Sequence, residues 1–269
     1  MRDFLSILLL GLIQGVTEFL PISSDGHLAL AALLFDIGDG GLALTVLLHA
    51  GTFLATLLVL RTRAFSALND GLRGFVSPQL FQSTPGGQDA LFVLVASVPT
   101  AIIGLGLKPV VESATHSPWW IGIGFLVTGA FLFGSRFVQE GKVEHPAWRA
   151  ALLVGLLQGF AVLPGVSRSA STIAALLFVK VERTRAFELS MLLSLPAVLG
   201  ALVLELPEGI RELHNLPLAL FGAAVAFVSG IGALLWLRKI VASGLFPWFA
   251  FWVVPLGFAT IAMAVAWPR

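Results

Sequence analysis

The chain alternates between long apolar runs and short polar interruptions. A helix that crosses a membrane needs about 20 consecutive, mostly apolar residues. Six runs come close to this length, and they predict six transmembrane helices. These runs lie at roughly 42–60, 90–107, 119–137, 186–204, 217–237 and 246–267.

Two further apolar regions, 4–35 and 150–179, are interrupted in the middle by proline, glycine and polar residues. The interruptions read "LPISSDGH" and "LPGVSRSAS". Each half of these regions is about 10 to 15 residues long, which is too short to cross a membrane alone. Both regions are therefore predicted to be re-entrant helical hairpins, whose broken backbone must face protein or water.

The two interrupted regions carry an internal repeat. The segment "GLIQG" at 11–15 matches "GLLQG" at 155–159, and "AALLF" at 31–35 matches the same word at 174–178. A Leu-Pro pair and a serine lie between these words in both copies. Because three predicted spans separate the hairpins, the hairpins should enter the membrane from opposite faces, as in inverted-repeat transporters.

Composition supports a membrane protein, since 57% of the residues are hydrophobic and 12% are charged. Soluble domains have about 25% charged residues. A formal net charge of +1 argues against a nucleic-acid partner, and the absence of cysteine excludes disulfides and thiolate metal sites. We predict an all-α integral membrane protein with one polytopic domain over 1–269. Its inverted-topology repeat halves are roughly 1–140 and 141–269.

The distribution of basic residues predicts an orientation. If the region 4–35 enters from the outside, eleven basic residues fall on the inner side and four on the outer side, which is the positive-inside pattern. The inner residues are Arg61, Arg63, Arg73, Arg136, Lys142, Arg149, Lys180, Arg183, Arg185, Arg238 and Lys239, and the outer ones are Arg2, Lys108, Arg211 and Arg269.

Polar side chains cluster directly after the first apolar run, as Glu18, Ser23, Ser24, Asp25 and His27. A charged residue inside an apolar segment costs about 2.5–3.5 kcal/mol on insertion scales, unless it lines a cavity or has a partner. Glu18 is therefore the most informative candidate, with helix capping as the alternative. Asp25 is interpreted as the tip of the first hairpin.

Arg168 is the basic residue that lies within a hairpin instead of at a membrane edge. A guanidinium beside hydroxyls and open backbone amides at a helix start suits an anionic phosphate. The alternative is a structural ion pair with Glu18 or Glu188. The neighbouring hydroxyls belong to Ser167, Ser169, Ser171 and Thr172.

Several other polar residues are open to two interpretations. Gln14 and Gln158 occupy equivalent repeat positions and could hydrogen-bond across the pseudo-twofold axis or contact substrate. Glu188 lies near the start of a predicted span, beside the basic residues Arg183 and Arg185. His49 and Asp36 are interpreted as mainly structural.

Together these residues predict phosphate chemistry at a membrane. Arg168 would bind the anion, and Ser24 could attack phosphorus with Glu18 or His27 as the base. Alternatively, one of those groups activates water. A divalent cation could bridge Glu18 and a diphosphate, because Mg²⁺ often binds one or two carboxylates plus substrate oxygens.

The segments "GVTEFLPISSDGHL" and "LPGVSRSAST" resemble the two signature motifs of the undecaprenyl-diphosphate phosphatase family, also called the bacitracin-resistance family. The resemblance extends over essentially the whole chain in length, span number and motif spacing. It implies a multi-pass enzyme of the bacterial inner membrane that hydrolyses undecaprenyl diphosphate and recycles the envelope lipid carrier. It also implies dependence on Mg²⁺ or Ca²⁺ and an active site that faces the periplasm.

Carried over by position, the resemblance implies catalytic roles for Glu18, Ser24, His27 and Arg168, with Glu18 also as a metal ligand. The expected substrate-binding residues are Gln14, Ser23, Ser167, Ser169 and Thr172. The chain departs from the family pattern at three positions. Many members have a glutamate where this chain has Gln14, some have an acidic residue at the position of Thr45, and some have a glycine at Ala170.

Three questions stay open at the level of sequence. A polyprenyl-phosphate transporter or flippase is the alternative function, since inverted repeats and broken helices are typical of transporters. No sequence feature sets the lipid chain length. A small-residue run at 221–233 permits close helix packing, either within the chain or in a homodimer.

Overall fold

The computed structural model describes residues 2–35, 41–211 and 215–266, and these residues are mostly helical. Asp36, interpreted above as structural, lies outside the described residues. The helices are α1 (Arg2–Thr17), α2 (Ser24–Phe35), α3 (Gly41–Val59), α4 (Arg61–Gly74), α5 (Leu80–Ser83), α6 (Pro85–Gly106), α7 (Lys108–Thr115), α8 (Pro118–Ser135), α9 (Trp148–Phe160), α10 (Arg168–Phe178), α11 (Arg183–Arg211), α12 (Leu216–Ala242) and α13 (Ala250–Ala266).

The predicted all-α membrane architecture is confirmed. By length and composition, five described helical segments could cross a membrane, and a sixth is added if the bent pair α3 and α4 counts as one span. The five segments are Pro85–Thr115, Pro118–Ser135, Arg183–Glu205, Leu216–Ala242 and Phe246–Ala266. Each of the six predicted spans thus coincides largely with a helix.

The helices α6 and α11 extend beyond the predicted spans. The helix α6 begins before the predicted 90–107, because Thr84 caps it by accepting a hydrogen bond from the backbone N–H of Gly87 at 3.1 Å and Pro85 occupies its first turn. The helix α11 continues past the predicted 186–204 to Arg211.

Both predicted hairpins are pairs of short helices separated by a break. The first pair is α1 and α2, and the second pair is α9 and α10. Ser23 has a φ of 70° and Gly165 a φ of 87°, so each break contains a left-handed residue that turns the chain. The broken hairpins are confirmed, whereas their opposite entry into the membrane stays a prediction.

The glycines of the repeated "GLxQG" segments make matching contacts across the two halves of the chain. Gly11 and Gly15 of α1 approach the backbone of α12, and Gly155 of α9 approaches the backbone of α6 at Ala96. The Thr100 hydroxyl of α6 also donates a hydrogen bond to the Gly155 carbonyl oxygen at 2.9 Å. Without a side chain at these positions, the helices pack closely enough to hold each hairpin against the other half.

A Gly155→Ala substitution should destabilise the protein. The new Cβ would collide with the Ala96 carbonyl oxygen, and overpacking of this kind costs about 1–3 kcal/mol. Gly200→Ala in α11 is the matched control, because a Cβ there meets no atom within 4 Å. Thermal unfolding in detergent should show a lower midpoint for Gly155→Ala alone, and equal midpoints would contradict the close packing of α9 on α6.

Candidate functional site

Glu18 lies in the break after α1, and its carboxylate is held by residues from both hairpins. The Arg168 Nη2 atom donates to Glu18 Oε1 at 2.5 Å, and the Ser24 hydroxyl donates to Glu18 Oε2 at 2.8 Å. The Gln14 amide nitrogen also donates to Oε2, at 3.1 Å. The Glu18 side chain is only 7% exposed. The predicted cluster of Glu18, Ser24 and Arg168 is therefore assembled around one buried carboxylate.

The second break is held in place by a threonine of α8. The Thr128 hydroxyl donates to the Gly165 carbonyl oxygen at 2.8 Å and accepts from the Ser167 backbone N–H at 2.8 Å. Ser167 is the N-cap of α10, where its hydroxyl accepts from the Ala170 N–H at 3.2 Å. These bonds fix the start of α10, and Arg168 is the first residue of that helix.

The Arg168 guanidinium has one donor group that is not used. Its Nη2 binds Glu18, whereas its buried Nη1 atom has no hydrogen-bond partner. An unsatisfied buried donor of a charged group is costly, so a ligand that accepts a hydrogen bond from it gains free energy of binding. The Nη1 atom is therefore suited to an anionic ligand.

The hydroxyls around Arg168 form hydrogen bonds within α10 and with the neighbouring helix α11. The Ser167 and Ser169 hydroxyls are 3.2 Å apart, and Thr172 donates to the Arg168 carbonyl oxygen at 2.8 Å. Thr172 also shares a 2.6 Å hydrogen bond with Ser190 of α11. These groups, expected to bind substrate, are buried beside Arg168 and already have partners within the protein.

Both ring nitrogens of His27 are engaged away from Glu18. Its Nδ1 atom lies 2.8 Å from the Ser23 carbonyl oxygen, and its Nε2 atom accepts from the Trp252 indole N–H at 3.1 Å. Because a carbonyl oxygen only accepts, Nδ1 must carry the hydrogen and Nε2 is then the acceptor. The ring also stacks on Trp252 and meets the edge of Phe125. His27 forms no ion pair with Glu18 in this structure.

A different imidazole, that of His49 in α3, faces the buried carboxylate. The His49 Nε2 atom is 3.8 Å from Glu18 Oε2 and 3.9 Å from Asp25 Oδ1, while Nδ1 lies 2.9 Å from the Thr45 carbonyl oxygen. His49 thus lies between the buried Glu18 and the half-exposed Asp25. The sequence interpretation of His49 as mainly structural, and of Asp25 as the tip of the first hairpin, missed this placement. The available signal was an ionisable residue inside a predicted span, which is by itself a reason to suspect function.

The two repeat glutamines do not pair with each other. Gln14 donates to Glu18, whereas Gln158 donates to the Thr100 hydroxyl at 3.4 Å. The Oε1 atoms of both side chains are buried without a partner. Of the two interpretations, a hydrogen bond between the glutamines is not formed in the structure, because Gln14 donates within its own hairpin and Gln158 donates to an adjacent helix.

Glu188 belongs to a second ion cluster and not to Arg168. It lies 3.1 Å from an Arg63 nitrogen and 3.4 Å from an Arg185 nitrogen, and Arg185 also binds the fully buried Asp89. Arg185 further donates to the Glu144 carbonyl oxygen at 2.9 Å. This cluster joins the starts of α4, α6 and α11, and its charges satisfy one another.

The site contains possible oxygen ligands for a cation and adjoins a crevice between helices. Among the described residues, no group of three His, Cys, Asp or Glu could hold a metal ion. Glu18 and the unpartnered Gln14 Oε1 nevertheless supply the oxygen ligands that Mg²⁺ and Ca²⁺ prefer. A narrow crevice beside Glu18 and Arg168, too tight to admit a lipid tail as it stands, is lined by Phe19, Thr52, Phe53, Thr56, Ser194, Leu195 and Val198.

Comparisons with known proteins cover nearly the whole chain. A family model described as bacitracin resistance protein BacA matches residues 7–259. The undecaprenyl-diphosphatase of Desulfosudis oleivorans is 42% identical over 261 residues, which cover 94% of this chain and 95% of the relative. The undecaprenyl-diphosphatase of Desulfatibacillum aliphaticivorans is 38% identical over 262 residues, covering 92% and 94%. That of Korarchaeum cryptofilum is 35% identical over 260 residues, covering 95% and 97%.

The Glu18–Arg168 pair should show strong energetic coupling. Removing one partner of a buried ion pair costs about 3–5 kcal/mol, because the other charge stays buried and unpaired. Glu18→Gln and Arg168→Gln should each lower the unfolding midpoint, and the double variant should lose much less than the two losses combined. Thermal unfolding in detergent measures this cycle, with the exposed Arg136→Gln as control. Additive losses would contradict a direct ion pair.

Proposed function

The chain belongs to the bacitracin resistance protein BacA family, and on that premise we propose that it is a membrane phosphatase acting on undecaprenyl diphosphate. The products are undecaprenyl phosphate and inorganic phosphate, so the reaction returns the cell-envelope lipid carrier to use. The observation that carries this proposal is the contact of Glu18 with both Ser24 and Arg168. This contact supports the proposal because it brings together three groups that could act as a base, a nucleophile and an anion-binding cation.

Arg168 binds the diphosphate in this proposal. Its unpartnered Nη1 atom offers a buried, charged donor, and guanidinium groups bind phosphate oxygens in a fork geometry. The same charge stabilises the negative charge on the phosphoryl oxygens in the transition state.

Ser24 is the attacking group, with Glu18 as its base. The distance of 2.8 Å between the Ser24 hydroxyl oxygen and Glu18 Oε2 is within the range for a nucleophile and its base. The Ser24 oxygen forms a bond to the terminal phosphorus as the bond to the bridging oxygen breaks. The hydroxyl proton passes to Glu18, and undecaprenyl phosphate leaves. Water then hydrolyses the phosphoserine and releases inorganic phosphate.

A divalent cation would be shared between the protein and the diphosphate. Glu18 and Gln14 Oε1 would hold it together with phosphate oxygens, since the described residues do not form a closed metal site on their own. When bound, the cation would offset the negative charge of the diphosphate. Gln14, which replaces a glutamate found in many members, would contribute a neutral ligand and weaken cation binding.

The proposal also includes the membrane in which the protein lies and the side that its active site faces. We place the protein in the bacterial inner membrane with its active site facing the periplasm, because the basic residues then concentrate on the inner side. An inverted repeat would account for the two hairpins meeting at Glu18 and Arg168. A homodimer through the small residues of 221–233 is compatible with this arrangement. Nothing in the described residues or the comparisons favours the transporter alternative.

Phosphate release from undecaprenyl diphosphate by the purified protein tests the proposal. We expect release with Mg²⁺ or Ca²⁺, a large loss with EDTA, and a loss of at least about 10²-fold for Glu18→Gln, Ser24→Ala and Arg168→Gln. Glu112→Gln and Arg136→Gln alter exposed charges of the same types and should retain activity. Absence of release from folded protein that binds the lipid would reject the phosphatase and return the choice to a transporter.

His49 should contribute to turnover by positioning Glu18. His49→Ala removes the ring that lies between Glu18 and Asp25, and a misplaced catalytic group can cost on the order of 10²-fold in rate. We expect kcat to fall with little change in KM, and partial recovery in His49→Gln, whose amide can reach the same carboxylates. A change in KM alone would show that His49 shapes binding and not the position of the base.

A further inference from the structure

The helix α4 carries an exposed apolar face that the protein itself does not cover. Phe65, Leu68 and Leu72 are 61%, 58% and 62% exposed. Their spacing of i, i+3 and i+7 places them on one side of a helix. Phe75 and Val76, just after the helix, are also exposed and extend this apolar surface.

Two other faces of α4 have different characters. The buried face consists of Ala67, Gly71 and Gly74, whose small size lets α4 pack closely against α6 and Phe81. The third face carries the exposed polar residues Ser66, Asn69 and Arg73, again at i, i+3 and i+7. One helix thus has a protein-facing side, an apolar side and a polar side.

The direction of α4 indicates what covers the apolar side. The axis of α4 is bent by 85° from that of α3. The predicted span 42–60 corresponds to α3 without α4, and if α3 crosses the membrane there, a helix at nearly a right angle to it runs along the membrane surface. Helices with this amphipathic pattern lie in the interface, with the apolar face about 5–10 Å into the headgroup and acyl boundary.

The charges of α4 indicate which lipids it meets. Arg61 and Arg73 are exposed at its two ends, whereas Arg63 is pinned to the protein by Glu188 at 3.1 Å and by Asp89 at 3.5 Å. The acidic residue of the helix, Asp70, lies toward Gly86 at the start of α6. The surface that remains for lipid is therefore apolar with positive ends, which is complementary to anionic headgroups.

We propose that α4 is an interfacial anchor that lies flat in the membrane surface and binds anionic phospholipid through Arg61 and Arg73. The ion cluster of Arg63, Asp89 and Glu188 holds the start of the helix on the protein, and the bilayer holds its apolar face. This inference concerns a lipid-binding surface separate from Glu18, and it does not depend on the proposed reaction.

Single-cysteine variants give a direct test, because the chain has no cysteine of its own. Leu68→Cys and Asn69→Cys change neighbouring exposed residues on the apolar and polar faces, so each is the matched control of the other. In vesicles that contain phosphatidylglycerol, a nitroxide at 68 should collide more with oxygen than with a water-soluble nickel chelate. A nitroxide at 69 should show the reverse order. Equal exposure of both labels to the nickel chelate would overturn the proposal.

The same variants distinguish a bilayer from a second copy of the chain. A dimer interface would shield the label at 68 from both reagents and would produce spin–spin broadening between copies. That result would overturn the membrane anchor. Unchanged thermal unfolding of each labelled variant confirms that the exposed substitution has left the fold intact.

Headgroup preference is measured with a bimane fluorophore on the cysteine at 68 and lipids that carry a quencher on the acyl chain. Quenching by phosphatidylglycerol should exceed quenching by phosphatidylcholine, and the preference should fall about fivefold for each of Arg61→Gln and Arg73→Gln. The preference should also weaken as salt is raised. Equal quenching by the two lipids in the labelled protein that keeps both Arg61 and Arg73 would overturn the anionic-lipid proposal.

Discussion

The buried ion pair between Glu18 and Arg168 is the contact on which the arrangement of the site depends. The two residues are 150 positions apart, and each lies in or beside the break of a different hairpin. Either charge alone would be costly in an apolar environment, so the two breaks are stable there only when they meet. The same pair places Ser24 and the unpartnered Arg168 nitrogen around one carboxylate. The interaction that satisfies the charges therefore also assembles the chemistry.

A second ion cluster also contains arginine and carboxylate, but it differs from the Glu18 site. Arg63, Asp89, Arg185 and Glu188 satisfy one another and fix the starts of three helices. Along α11, Arg185 is nine residues from Ser194 beside the first site, or about 14 Å at the helical rise of 1.5 Å per residue. Both sites contain arginine and carboxylate, but the Glu18 site also keeps an unused buried donor. That donor, and not the ion pair alone, points to a ligand.

The candidate site was predictable where its residues lie together in the sequence. Glu18 and Ser24 belong to one polar segment, and Arg168 lies in the matching segment of the repeat. The role of His49 was not predictable in this way, because it lies alone in an apolar span and reaches Glu18 only through the packing of α3. His27 stands in the motif, but the structure pairs it with Trp252, which is 225 positions away.

The sequence by itself determined the class of the protein, the positions of its spans and the two broken hairpins. These are local properties, since apolar length and the placement of proline, glycine and serine act over a few residues to about twenty. Only the tertiary structure decided which polar groups meet, which glutamine contacts Glu18 and which imidazole faces it. Contacts of this kind join segments that are far apart in the chain, so they depend on how the helices pack and not on the residues beside each group.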